Sequence, residues 1–175
     1  MAACGLVNFG NLLTGRPSVE EAMKICPQLQ EPTLSSTIET ADLCLGWFWG
    51  PDYEFTNKKG IESVVVGYAG GAMDWPTYRS IQDHTEAIRI EYDTSAWSFT
   101  DILQEFVTQH SPYAKPYSRQ YRSAILYHNA DQKEQAEQFL ANMEKTTGKK
   151  IYTDIEKATP FYRAEEYHQK YIQKA

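Results

Sequence analysis

Three cysteines, Cys4, Cys26 and Cys44, are the side chains of this sequence best suited to nucleophilic or metal chemistry, and all fall in its first third. An odd number without C-x-x-C spacing suits neither a disulfide framework nor a zinc or dithiol site, so they read as reduced thiols. His84, His110, His128 and His168 form no HExxH or H-x₃-H pair, and no metal is expected. The run Trp47-Phe48-Trp49 offers ring faces to a small apolar, planar or cationic group, although core packing is the commoner fate of such clusters. Glu86, by residue type alone, reads as an exposed strand carboxylate. With 12 tyrosines in the chain, Tyr78 and Tyr121 read by type as half-buried phenols.

Alternating elements must position these residues. Ser18 with Glu21 three residues on predicts a capped helix through Val19, Ala22, Met23 and Ile25, followed by a connector to Thr37. Ala41 to Leu45 reads as a strand that runs into an aromatic segment punctuated by Gly and Pro, Gly46 to Phe55, a junction where α/β sites often sit. Val64 to Val66 reads as a buried strand stopped by the glycines at 67, 70 and 71, and the loop Gly70 to Ser80 follows. Glu86 to Asp93 is strand-like, Ser98 caps a helix through His110, and Arg122 to His128 is another strand. Asp131 to Lys145 is a charged amphipathic helix, Ile151 to Ile155 a short strand, and the segment from Phe161 to His168 a turn entering a terminal amphipathic helix. The order predicts an α/β (α+β) sandwich with a mixed β-sheet.

Bulk properties narrow the partners. At 175 residues and 42% hydrophobic, the chain suits one domain with one core. A net charge of -6 without basic runs argues against nucleic acid. No stretch approaches a membrane span, and residues 1–13 lack the pattern of a secretory signal, so a cytoplasmic protein without a membrane partner is expected.

Gly46-Trp47-Phe48-Trp49-Gly50 resembles the G-C-F-W-G motif of the methionine sulfoxide reductase A family. In the same order as in that family follow Gly67-Tyr68-Ala69-Gly70-Gly71, Pro76-Thr77-Tyr78-Arg79, His84-Thr85-Glu86-Ala87, Gln120-Tyr121-Arg122-Ser123-Ala124-Ile125, and Phe161-Tyr162 with Glu165 to Gln169. The resemblance implies a two-layer sandwich, a ferredoxin-like plait, over residues 38–175, with residues 1–37 as an N-terminal extension. In that family a cysteine thiolate attacks the sulfoxide sulfur, while a glutamate and two tyrosines engage its oxygen and a Phe-Trp pair holds the methyl group. Carried over, the resemblance implies Glu86 as acid, Tyr78 and Tyr121 as hydroxyl donors, Phe48 and Trp49 as pocket walls, and His84 as a neighbour that orients Glu86 or a solvated loop histidine.

Trp47 departs from the pattern, because an indole has no lone pair for attack on sulfur. It either offers a ring face to the pocket or turns inward and packs. Cys44, three residues earlier on a strand, faces the opposite side, roughly 10 Å away along the chain. No cysteine follows Cys44, so recycling by thioredoxin is not expected. Pro116 stands where many members place an aspartate five residues before the tyrosine. The expected function is therefore non-redox general acid/base chemistry on a small molecule, such as cyclisation, dehydration, isomerisation or imine chemistry, without a cofactor. The alternatives are a non-catalytic protein that binds methionine sulfoxide or a similar group, and a reductase that uses another thiol.

Overall fold

A computed structural model of the chain describes residues 16–32 and 37–175. Cys4 and residues 33–36 of the connector lie outside the described residues. Eleven elements follow one another: α1 (Val19–Ile25), β1 (Ile38–Leu45), α2 (Trp49–Thr56), β2 (Ile61–Ala69), β3 (Thr85–Asp93), α3 (Phe99–Gln109), β4 (Ser123–Tyr127), α4 (Ala130–Thr147), β5 (Thr153–Lys157), β6 (Tyr162–Arg163) and α5 (Tyr171–Lys174). The strands form one mixed sheet in the order β5-β4-β1-β3-β2-β6. Among the described residues the β4–β5 pair alone is parallel, which makes the α/β expectation of a mixed sheet correct.

Period-two alternation divides each strand between two faces. Leu43 and Leu45, Val64 and Val66, Ile88 and Ile90, and Ile125 join Phe99, Ile102, Leu103 and Phe106 of α3 in the larger core. Cys44, Ala69, Ala87, Ala124 and Leu126 point the other way, into a smaller cluster closed by Phe161. Asp42 lies on that second face and is 1% exposed. Arg89 grips it with two hydrogen bonds of 2.8 and 2.7 Å, and His128 Nε2 lies 3.1 Å away. Burial pushes the Asp42 carboxyl up, but the guanidinium and imidazole outweigh it and hold the group below the usual carboxylate range.

Both capping boxes form, Ser18 with Glu21 on α1 and Ser98 with Asp101 on α3. Three expectations change. The glycines do not stop β2, which runs through Gly67 to Ala69. Gly67 is there for space: a Cβ on it would sit 2.3 Å from the ring of Phe161 and the carbonyl of Tyr162, on neighbouring β6. The junction after β1 is a helix, α2, whose only proline, Pro51, occupies the first turn where no N–H is needed. The C-terminal amphipathic helix is replaced by β6, turns and the four-residue α5. Polar side chains captured elsewhere hold that segment in turns. Gln169 bonds both backbone groups of Val66 at 3.1 and 2.9 Å, and Lys170 donates from its backbone and its ammonium to buried Asp52 at 2.8 and 2.6 Å.

Candidate functional site

Antiparallel pairing brings the end of β1, the end of β2 and the starts of β3 and β4 to one edge of the sheet: Leu45 pairs with Ser123, and Ala69 with Thr85. Glu86 stands there on the same face as Ile88 and Ile90, one step from the strand's start. Gly46, at φ +87°, turns the chain out of β1 through a conformation that costs a Cβ-bearing residue, and so delivers residues 47 to 49 to the same edge.

Glu86 is 3% exposed. Burial raises its carboxyl to about 7, against the opposing hydrogen bonds from Gln120 and the Phe48 backbone N–H. Gln120 Nε2 donates at 3.0 Å to Glu86 Oε1 and at 2.9 Å to the Tyr121 hydroxyl, and so ties the acid to the phenol. The Tyr121 phenol is pushed up to about 12, first by burial and then by its hydrogen bond with Tyr78 and the charge of Glu86. It remains a donor near neutrality. Tyr78 is held by its backbone N–H, which donates at 3.0 Å to Glu165, whose other oxygen accepts from Tyr68 at 2.7 Å. Glu86, Tyr78 and Tyr121 are thus brought together.

Phe48 is buried and Trp49 half-buried, with ring centroids 6.4 Å apart. The Trp49 indole donates at 3.1 Å to His168 Nδ1 and stacks on Tyr171 at 4.1 Å. The acceptor role of Nδ1 puts the His168 proton on Nε2, in keeping with the burial that lowers the histidine's pKa and keeps it neutral. The His168 ring lies 4.7 Å from that of Tyr78 and 5.2 Å from that of Phe48. His168, which by sequence reads as a structural contact holding the C-terminus rather than a base, adjoins the site together with Tyr171 and Gln120. The only signal for His168 and Gln120 was their place inside the blocks of the family resemblance.

Trp47 turns outward. It is 51% exposed, meets Trp49 edge-on at 6.2 Å, and lays its ring over α2 so closely that a Cβ on Gly50 would lie 3.2 Å from it. His84 is placed differently from Glu86: it is 1% exposed, edge-on to Tyr162 at 5.5 Å, with Nδ1 3.3 Å from Asp83. Burial lowers its pKa and keeps it neutral in that setting. Arg122 is an ion-pair partner, bound to Asp154 and Glu156 at 3.0 and 2.6 Å.

Of the two described thiols, Cys26 interacts with Glu165, the carboxylate that holds Tyr78, and Cys44 lies away from the site. Cys44 is fully buried on the opposite face, and burial raises it to about 12. Burial raises Cys26 further still. Neither supplies a thiolate near neutral pH. Among the described residues no group of His, Cys, Asp and Glu is arranged to hold a metal ion, and no helix is long and apolar enough to cross a membrane.

A family model for peptide methionine sulfoxide reductase matches residues 39–175. A peptide methionine sulfoxide reductase of Drosophila melanogaster is 42% identical over 137 residues, which are 77% of this chain and 56% of the relative's length. A peptide methionine sulfoxide reductase MsrA of Natronomonas pharaonis is 38% identical over 146 residues, 77% of this chain and 82% of the relative. Among solved structures, reduced Mxr1 from Saccharomyces cerevisiae superposes with a TM-score of 0.74 at 25% identity, over 85% of this chain and 90% of that one. A structure of Mxr1 in complex with Trx2 gives a TM-score of 0.57 at 20% identity, over 81% of this chain and 89% of that one, and speaks for the fold.

Proposed function

The chain belongs to the peptide methionine sulfoxide reductase family, and from that premise we propose that it performs non-redox general acid/base chemistry on a small molecule at Glu86. One observation carries the reading: a buried carboxyl near neutrality, at about 7, sits beside two phenols and aromatic walls. Such a group donates a proton in one step and recovers it in the next at physiological pH. Tyr78 and Tyr121 hold the oxygen of the substrate, Phe48 and Trp49 flank its apolar part, and Trp47 closes the outer side. His84 is a support on the far flank. Both described thiols, Cys26 and Cys44, are buried and protonated and so offer no nucleophile beside Glu86.

With a tryptophan at position 47 and both described cysteines buried, this reading forms no disulfide at the site for a dithiol donor to reduce. The Trx2 seen with yeast Mxr1 therefore has no counterpart in this reading. The chain divides into an extension at 1–37 and the reductase-like unit at 38–175.

Incubation of the protein in D₂O with a panel of small carbonyl, hydroxyl and imine compounds, followed by proton NMR, tests the proposal. Exchange or conversion above the buffer rate is the expected result. Saturable binding of N-acetyl methionine sulfoxide, with every compound of the panel left unchanged, would replace acid/base catalysis by binding alone.

A further inference from the structure

Outside Trp47 lies a cavity of about 420 Å³, and its two ends differ chemically. Leu45 and Ser123, both buried, close the inner end. Trp47 and Tyr121 line the sides, and Tyr117, 85% exposed, stacks on Tyr121 with centroids 5.6 Å apart. Exposed Lys115 stands at the mouth and is the only formally charged group among the described lining residues. In a protein of net charge -6 this is a locally cationic rim.

Hydrogen bonding fixes the polarity of the inner end. His110 Nδ1 lies 2.8 Å from the Phe106 carbonyl oxygen, which can only accept, so Nδ1 carries a proton; burial lowers the pKa of this histidine and keeps it neutral, which leaves Nε2 as an acceptor. Ser123 therefore donates its hydroxyl proton to His110 Nε2 at 2.7 Å. The contact of Ser123 with the Thr153 hydroxyl, also 2.7 Å, is then one in which Thr153 donates. Ser123 Oγ keeps one lone pair and no proton for a ligand. The cavity thus accepts a hydrogen bond at its inner end, offers ring faces along its sides and a cation at its mouth.

We propose that this cavity is a binding subsite for a planar aromatic carboxylate that carries a hydrogen-bond donor at its far end. The carboxylate faces Lys115, the ring lies along Trp47, Tyr117 and Tyr121, and an O–H or N–H reaches Ser123. Tyr121 is common to this cavity and the Glu86 group. The proposal rests on the acid/base reading only for what happens after binding.

Calorimetry with 4-hydroxybenzoate on the full chain and on Glu86→Gln tests it. Both proteins are expected to bind saturably. Phenol, which lacks the carboxylate, should bind more weakly, and Lys115→Glu should weaken 4-hydroxybenzoate by about 5-fold, the upper range for an exposed ion pair. Tyr117→Ala should cost about 2- to 10-fold, the value of one aromatic stack. Both residues are exposed, so neither change threatens the fold. Ser123→Ala should erase the advantage of 4-hydroxybenzoate over benzoate. Absence of binding heat at millimolar ligand, or binding indifferent to both Lys115→Glu and Tyr117→Ala, would overturn the proposal. Loss of binding in Glu86→Gln would also overturn it, by placing the ligand at the acid. Binding with the expected pattern but without conversion would leave the subsite standing and count only against the acid/base reading.

Discussion

Replacement of Trp47 by cysteine is expected to make the protein reduce N-acetyl methionine sulfoxide, with dithiothreitol as electron donor, much faster than the natural chain does. The indole is half exposed and outside both cores, so its removal leaves the packing of the sheet intact. A thiol at position 47 immediately precedes Phe48, the N-cap of α2, where the helix dipole and free N–H groups favour a thiolate. The thiolate would attack the sulfoxide sulfur while protonated Glu86 supplies a proton to the oxygen. Oxygen passes to the cysteine as a sulfenic acid, methionine leaves, and dithiothreitol reduces the sulfenic acid with release of water. General acids contribute about 10² to 10⁴ in rate, so Trp47→Cys combined with Glu86→Gln should lose that factor. Trp47→Ala should remain inactive and separates the effect of a thiol from that of an emptied pocket. If Trp47→Cys is no better than Trp47→Ala, more than the nucleophile differs from the reductases.

Glu86→Gln is expected to act on activity and stability in opposite directions. Turnover of a substrate found in the panel should fall by about 10² to 10⁴, because the amide keeps the shape and loses the proton. In the natural protein the acid form should disappear as pH rises through about 7, and activity that depends on proton donation should fall with it. The stability effect follows from the same raised pKa. Between the unfolded value, about 4.3, and the folded value, about 7, the folded chain binds more protons than the unfolded one, so this group makes stability fall as pH rises through that window. Glu86→Gln removes the penalty, and its Tm should exceed that of the natural chain at pH 8 and match it at pH 4.

Most of the elements could be read from local signals. The capping boxes at Ser18 and Ser98, the apolar runs of β1 to β4 and the long amphipathic α4 each rest on nearest-neighbour chemistry, and each is found within a few residues of its expected place. The C-terminal segment could not be read that way, because Gln169 and Lys170 are fixed by partners more than a hundred residues away. The same distinction divides the site. Glu86, Tyr78, Tyr121, Phe48 and Trp49 came from ordered motif blocks, since residue type alone pointed Glu86 to solvent. The bridge made by Gln120, the His168 acceptor for Trp49 and the Ser123–His110 pair depend on which strand starts meet at one sheet edge. Periodicity does not encode that. The outward turn of Trp47 was left open by the sequence and follows from the left-handed Gly46 and the start of α2.

The proton of Glu86 is the quantity on which the account depends most. Carbon-13 NMR of protein labelled at its glutamate carboxyl carbons, with the Glu86 resonance assigned by its absence from Glu86→Gln, measures it directly. A midpoint at about 7 is expected for that one resonance. A midpoint near 4, in the ordinary range of exposed glutamates, would contradict it.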